Sequence, residues 1–124
     1  EKQKAREDRY PVRSRAKILR SGILDRTKEK GFSSDTDLLT IDFLEGLLLG
    51  QRYCECCGVA LLLSRPRDRV KQNNSPSIDR IRNDVGYTIE NIALLCWRCN
   101  NLKRDASYLE LETIANWLRK RLAA

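Results

Sequence analysis

Residues 76–105 read PSIDRIRNDVGYTIENIALLCWRCNNLKRD, and this stretch decides the fold. PSIDRI reads as a short strand, NDVGY as a turn and NIALL as a second strand, which makes a hairpin ending just before Cys96. A helix is expected to begin between Trp97 and Asn100. A strand pair followed directly by a helix, with cysteines at the join, places the chain in the α+β class.

Working outward, the cysteines come next. Cys54/Cys57 and Cys96/Cys99 are two Cys-x-x-Cys pairs separated by 38 residues. Two adjacent turns that each present a pair of thiolates can close a tetrahedron around zinc. Gly58 fits a sharply bent knuckle, where a residue without Cβ relieves crowding. The alternatives are two disulfides or a redox-active pair. The odd count disfavours a disulfide scaffold, because Cys56 is left over, and a thioredoxin-like motif should sit in a βαβ pattern. One structural zinc is therefore expected. Four thiolates fill its coordination sphere, so chemistry needs a different metal.

On the N-terminal side, YCECCGVALLL is expected to lead from the knuckle into a short apolar strand, and 65–77 to form a polar, proline-punctuated loop. IDFLEGLLLG reads as a helix capped by Thr40 and stopped by Gly50, with Ile41, Leu44, Leu47 and Leu48 on one face. Ala16, Leu19 and Ile23 recur at helical spacing, predicting a basic amphipathic helix over 13–30 that ends near Gly31. Its polar face carries Arg13, Lys17, Arg20 and Lys28. Residues 1–15, broken by Pro11, read as a frayed or partly helical arm. On the C-terminal side, Ser107 and Glu110 form a capping box. Leu111, Ile114, Ala115, Leu118 and Leu122 then mark an amphipathic helix, on which Trp117 is read as core packing rather than a base-stacking platform. The whole is expected to be one compact domain. Residues 1–50 are its basic helical part, and 51–124 are its zinc-stapled core with the terminal helix.

Composition narrows the partners. Lys plus Arg outnumber Asp plus Glu by 24 to 17, a net charge of +7. This suits a polyanion held through phosphates, although an ordinary solvated basic surface has the same signature. Histidine is absent, removing the usual general base and the usual nitrogen ligand for zinc. No apolar run reaches the roughly 18 residues of a membrane span, and no leader pattern opens the chain. A cytoplasmic protein without membrane contact is expected. With no Met in the chain, Glu1 is not expected to be a translation start.

PSIDRI, the Gly-Tyr step, Asn91 and the Asn-x-x-Lys of Asn100 and Lys103, taken in that order across 54–105, resemble the ββα-metal core of HNH endonucleases, especially the small phage-type members with a four-cysteine zinc site. The resemblance implies a DNA phosphodiesterase. Asp79 is then the first ligand of a catalytic Mg2+ or Mn2+, Asn91 the asparagine that orients the loop, and Asn100 the second metal ligand. It also implies a phage or prophage setting, with a packaging or other protein partner. One carboxylate and one amide oxygen are hard donors that leave positions open for water and phosphate, which suits Mg2+ or Mn2+. Lys103 and Arg104 would hold flanking phosphates, as would Arg13, Lys17 and Arg20 on the first helix. Each is equally readable as a solvated charge. Taken singly, Asp79 is also readable as an ion-pair partner, and Asn91 or Asn100 as a turn or cap residue.

The departure from that family's pattern is Arg80, which stands where the base histidine would be. A guanidinium does not accept a proton near neutrality. Three readings follow: Asp79, Asp84 or a metal-bound hydroxide transfers the proton; Arg80 clamps phosphate while catalysis is slow; or the domain binds DNA without cutting it. A regulator or toxin-like protein acting on RNA is a further alternative.

Overall fold

The computed structural model describes residues 2–63 and 72–123, with 2–10 placed as helical backbone. The polar loop expected at 65–77 lies outside the described residues up to 71. Within them the chain is α+β, with four helices and one two-stranded antiparallel sheet. In order, these are α1 (Lys2–Lys30), α2 (Ile41–Gly50), β1 (Pro76–Arg80), β2 (Ile92–Cys96), α3 (Trp97–Lys103) and α4 (Tyr108–Ala123), with one 3-10 turn at Ile89–Asn91.

α1 is longer than the 13–30 helix expected, because Pro11 lies inside it instead of breaking it. A helix-interior proline removes one backbone bond and crowds the preceding turn at a cost of about 3 kcal/mol. Here the residues before Pro11 are mostly strong helix formers, and the turns after it are fixed by burial of Val12, Ala16, Leu19 and Ile23. Gly31, at φ +71, ends the helix where expected, its N–H donating to the Thr27 carbonyl at 2.9 Å.

α2 packs on α1 through Leu44 and Leu48, both fully buried, with Leu39 beneath the connecting loop. Thr40 caps it, its hydroxyl accepting from the Phe43 N–H at 3.1 Å. The helix runs through Gly50 and stops at Gln51, whose backbone turns extended. Arg13 reaches across to Asp42 and Glu45, each at 2.9 Å. Arg20 donates to the Thr36 carbonyl at 2.9 Å and to that of Leu39. The polar face of α1 thus contributes two of its arginines to internal attachment. Their guanidiniums are held by α2 and its loop, while Lys17 stays exposed.

The hairpin pairs Pro76 with Cys96 through to Arg80 with Ile92, so that Ile78 and Leu94 face each other in the core. Among the described residues a hydrophobic cluster runs from Val12 on α1 to Cys96 at the end of β2. Burying such a side chain contributes about 1.5–3 kcal/mol. Two expectations are corrected. The strand after the knuckle is only an isolated bridge between Tyr53 and Ala60, because the next N–H groups, of Leu61 and Leu62, donate to loop carbonyls of Arg52 and Asn74. α4 has its capping box, with the Ser107 N–H to Glu110 Oε1 at 2.9 Å and the Glu110 N–H to Ser107 Oγ at 3.2 Å. Yet none of its residues is buried, and Trp117 is 59% exposed, since the helix stands off the core.

Candidate metal centre and adjoining cleft

The sulfurs of Cys54, Cys57, Cys96 and Cys99 lie within 4.8 Å of one another. Cys57 Sγ and Cys96 Sγ are 3.8 Å apart. Tetrahedral zinc with Zn–S bonds of about 2.3 Å sets its sulfurs roughly 3.8 Å apart, whereas a disulfide needs about 2.05 Å. All five cysteines are free thiols, and Cys56, the one outside the four-sulfur group, is exposed. The four clustered cysteines can therefore hold a metal ion such as zinc.

The backbone builds this cluster. The Cys57 N–H points at Cys54 Sγ at 3.5 Å, and the Cys99 N–H points at Cys96 Sγ at 3.4 Å, so each pair closes a tight turn around its own first sulfur. Gly58 takes φ +80 at the end of the first turn. An added Cβ would meet nothing within 4 Å, so the glycine is required by backbone sign rather than by the crowding expected from sequence. Gln51 ties the first knuckle to β2, its side-chain amide donating to the carbonyls of Tyr53 at 2.9 Å and Leu94 at 2.8 Å. Burial raises the Cys54 thiol, but the backbone N–H groups aimed at it, led by that of Cys57, outweigh burial and bring it down to about 6. Burial and the neighbouring sulfurs push Cys96 and Cys99 up. Without a cation, crowded thiols resist joint ionisation. A bound metal removes that conflict and releases protons.

Cys96 caps α3, so the helix that starts at the cluster carries Asn100 and Lys103 along β1, to Ser77 and to Asp79. There Asp79, Arg80 and Asn100 line a cleft of about 360 Å³. Its wall holds four cationic side chains, Arg26, Lys30, Arg80 and Arg104, against two carboxylates, Asp79 and Asp105. The wall is therefore cationic on balance. Asp79 is 5% exposed. Burial pushes its carboxyl up, partly offset by the charge and hydrogen bond of Lys103 and by the charge of Arg80. Lys103 Nζ lies 3.3 Å from one carboxylate oxygen and 3.2 Å from the other, and 3.1 Å from the Arg80 carbonyl. Asn100 directs its amide nitrogen to Ser77 Oγ and to the Ile78 carbonyl.

Asn91 is buried and organises the loop between the strands. Its Nδ2 donates to the carbonyls of Arg82, Val85 and Gly86 at 3.0–3.1 Å, and its Oδ1 accepts from the Arg82 N–H at 2.8 Å. Arg80 is held as part of the wall. Its guanidinium sits 3.8 Å from the Phe32 ring centroid and 5.7 Å from that of Tyr87. It also donates to the carbonyls of Asn83 at 2.6 Å and Val85 at 3.1 Å. Asp84 is turned outward onto Arg82 at 3.2 Å, whose hydrogen bond depresses its pKa, and it does not line the cleft.

Sequence reasoning missed Arg26, Phe32, Tyr87 and Asp105 as cleft residues. Arg26, three positions after Ile23, continues the buried stripe of α1, and that spacing was the available signal. Arg26 Nε donates to the Tyr87 hydroxyl at 2.6 Å, while the Phe32 and Tyr87 rings meet edge to face at 6.3 Å. Arg104, at the cleft rim, has φ +45, a conformation that costs a non-glycine residue about 1–3 kcal/mol. No helix among the described residues is long and apolar enough to cross a membrane. No protein-family model, curated protein or solved structure matches the chain.

Proposed function

We propose that the chain is an HNH-type endonuclease hydrolysing DNA phosphodiester bonds, with a ββα-metal core and a structural zinc on Cys54, Cys57, Cys96 and Cys99. The observation that carries this reading is that Asp79 on β1 and Asn100 on α3 line one cationic cleft, on a helix that begins at the sulfur cluster.

Asp79 and Asn100 are the residues that would hold Mg2+ or Mn2+, as hard oxygen donors. Such a cation supplies polarisation of a phosphoryl oxygen and a lowered pKa for water. The chain's own groups do the rest. Asn91 fixes the loop whose Asn83 and Val85 carbonyls hold the Arg80 guanidinium. Arg80 keeps its charge on the cleft wall and accepts no proton. Lys103 neutralises Asp79 and would be the ammonium available to a phosphate oxygen were a metal ion held by that carboxylate. Lys30 and Arg104 receive flanking phosphates. Asp105, the second carboxylate of the wall and an exposed one, is the proton acceptor this arrangement offers in place of histidine.

A second reading is favoured by Lys103 resting on Asp79 and by Arg80 standing at the base position: a zinc-stapled module that binds DNA, or assembles on it, without cutting. Supercoiled plasmid separates the two. With zinc-loaded protein, Mg2+ or Mn2+ is expected to support nicking that disappears without them and in Asp79→Ala. Intact plasmid at protein concentrations that retard duplex DNA in a gel, with cutting gained by Arg80→His, establishes the second reading and sinks the first. Competition with duplex RNA tests which nucleic acid the cleft prefers.

A further inference from the structure

α4 is 16 residues long and has no buried residue. A helix of this length is marginal in water unless its apolar face packs on something. Its large apolar side chains are nevertheless open, Tyr108 at 76% and Leu122 at 81%. With 3.6 residues per turn, Tyr108, Leu111, Ile114, Ala115, Leu118 and Leu122 form one stripe. Glu112 and Arg119 border the stripe on one side, and Glu110 and Arg121 border it on the other. The acids fall in the first half of the helix and the bases in the second.

We propose that α4 is a dimerisation helix that pairs antiparallel with α4 of a second copy of this chain. The charge pattern selects both occupant and direction. In an antiparallel pair the same border of each helix meets. A two-fold axis between Ala115 and Asn116 then sets Glu112 beside the second copy's Arg119, and Glu110 beside its Arg121, four ion pairs in one register. Glu110 keeps one carboxylate oxygen for this contact, since the capping bond uses only Oε1. The same register interleaves the two apolar stripes, with Leu122 of one copy next to Tyr108 of the other and the Leu118 pair flanking Ala115. In a parallel pair opposite borders meet, bringing Glu110 to Glu112 and Arg119 to Arg121, which like charges oppose. The inference is independent of the nuclease reading.

Two helices about 24 Å long make an interface at the small end of specific ones, so micromolar association is expected. Sedimentation equilibrium of the zinc-loaded full chain tests this, with zinc content and thermal melting as controls for folding. Wild type is expected to dimerise by about 100 µM, and Leu118→Asp to be monomeric there while keeping its zinc and its melt. Because Glu110 also caps the helix, Glu112 and Arg119 carry the test of direction. Glu112→Lys and Arg119→Glu are each expected to weaken the dimer about tenfold, and the double swap to restore it. Monomeric wild type, a dimer indifferent to Leu118→Asp, or a double swap no better than the single changes overturns the proposal. So does a monomer whose α4 becomes protected from proteolysis only when duplex DNA is added.

Discussion

The four-sulfur cluster and the polar cleft share one hairpin and α3, the cluster at the Cys96 end and the cleft toward Asp79 and Arg80, yet they differ in how each would receive an ion. At the cluster the backbone aims N–H groups at the sulfurs, and the sulfurs of Cys57 and Cys96 already stand 3.8 Å apart. At the cleft the buried carboxylate of Asp79 already has a cation, the Lys103 ammonium. A soft ion that holds the fold is closed in by four thiolates, which leave no position for water. A hard ion that must stay open to water and phosphate is served by a site whose carboxylate can exchange one cationic partner for another.

The largest effect expected from this contrast is on the sulfur side. Cys96→Ser, or zinc removal, is expected to abolish the cooperative thermal transition seen by circular dichroism, since binding free energy of a structural zinc is on the order of a small domain's whole stability. A chelated protein with an unchanged melt would make the two sites equivalent and end the comparison. On the oxygen side, Asp79→Asn is expected to lower the nicking rate about a hundredfold or more with zinc still at one per chain. Equal loss of zinc would show that the two sites are not separable.

Smaller effects sharpen the picture at the cleft's edges. An added Cβ at Gly86 would fall inside contact distance of the Ser33 carbonyl, where the loop after α1 is stitched on by the Asp35 N–H to the Tyr87 carbonyl at 2.8 Å and the Tyr87 N–H to Ser34 Oγ at 2.9 Å. Gly86→Ala is expected to cost about 2 kcal/mol in urea unfolding, and it should loosen the aromatic wall under Arg80 without disturbing zinc. Arg104→Gly is expected to stabilise the fold by about 1 kcal/mol by relieving the positive φ, while weakening duplex binding and lowering its salt slope by about one contact. Higher stability with unchanged DNA affinity would remove Arg104 from the cleft's working residues.

Much of this was legible in the chain, for reasons that differ by residue. The hairpin, α2, α3 and the capping of α4 rest on local signals: short apolar runs, Thr40, the Ser107–Glu110 box and two Cys-x-x-Cys turns. Asn91 was expected to orient its loop, and its side chain makes four hydrogen bonds there. The Lys103–Asp79 pair joins residues 24 positions apart across three elements, and Arg80 is held by Phe32, 48 residues upstream, so neither contact has a local pattern. The same limit explains why the helical periodicity of α4 was read as core: period reports a face, not what covers it. Arg13 and Arg20 looked like phosphate ligands because the carboxylates and carbonyls they meet lie at least 16 residues away.

In the proposed function one acid and one amide, Asp79 and Asn100, set by the end of α3 at the sulfur cluster, accept a second ion. Titration of zinc-loaded protein with Mn2+, followed by electron paramagnetic resonance, reads this directly. One bound Mn2+ per chain is expected, lost in Asp79→Asn, weakened in Asn100→Ala and tightened in Lys103→Met. Binding that ignores Asp79→Asn, or no bound Mn2+ at millimolar concentration in any of these proteins, would contradict the account.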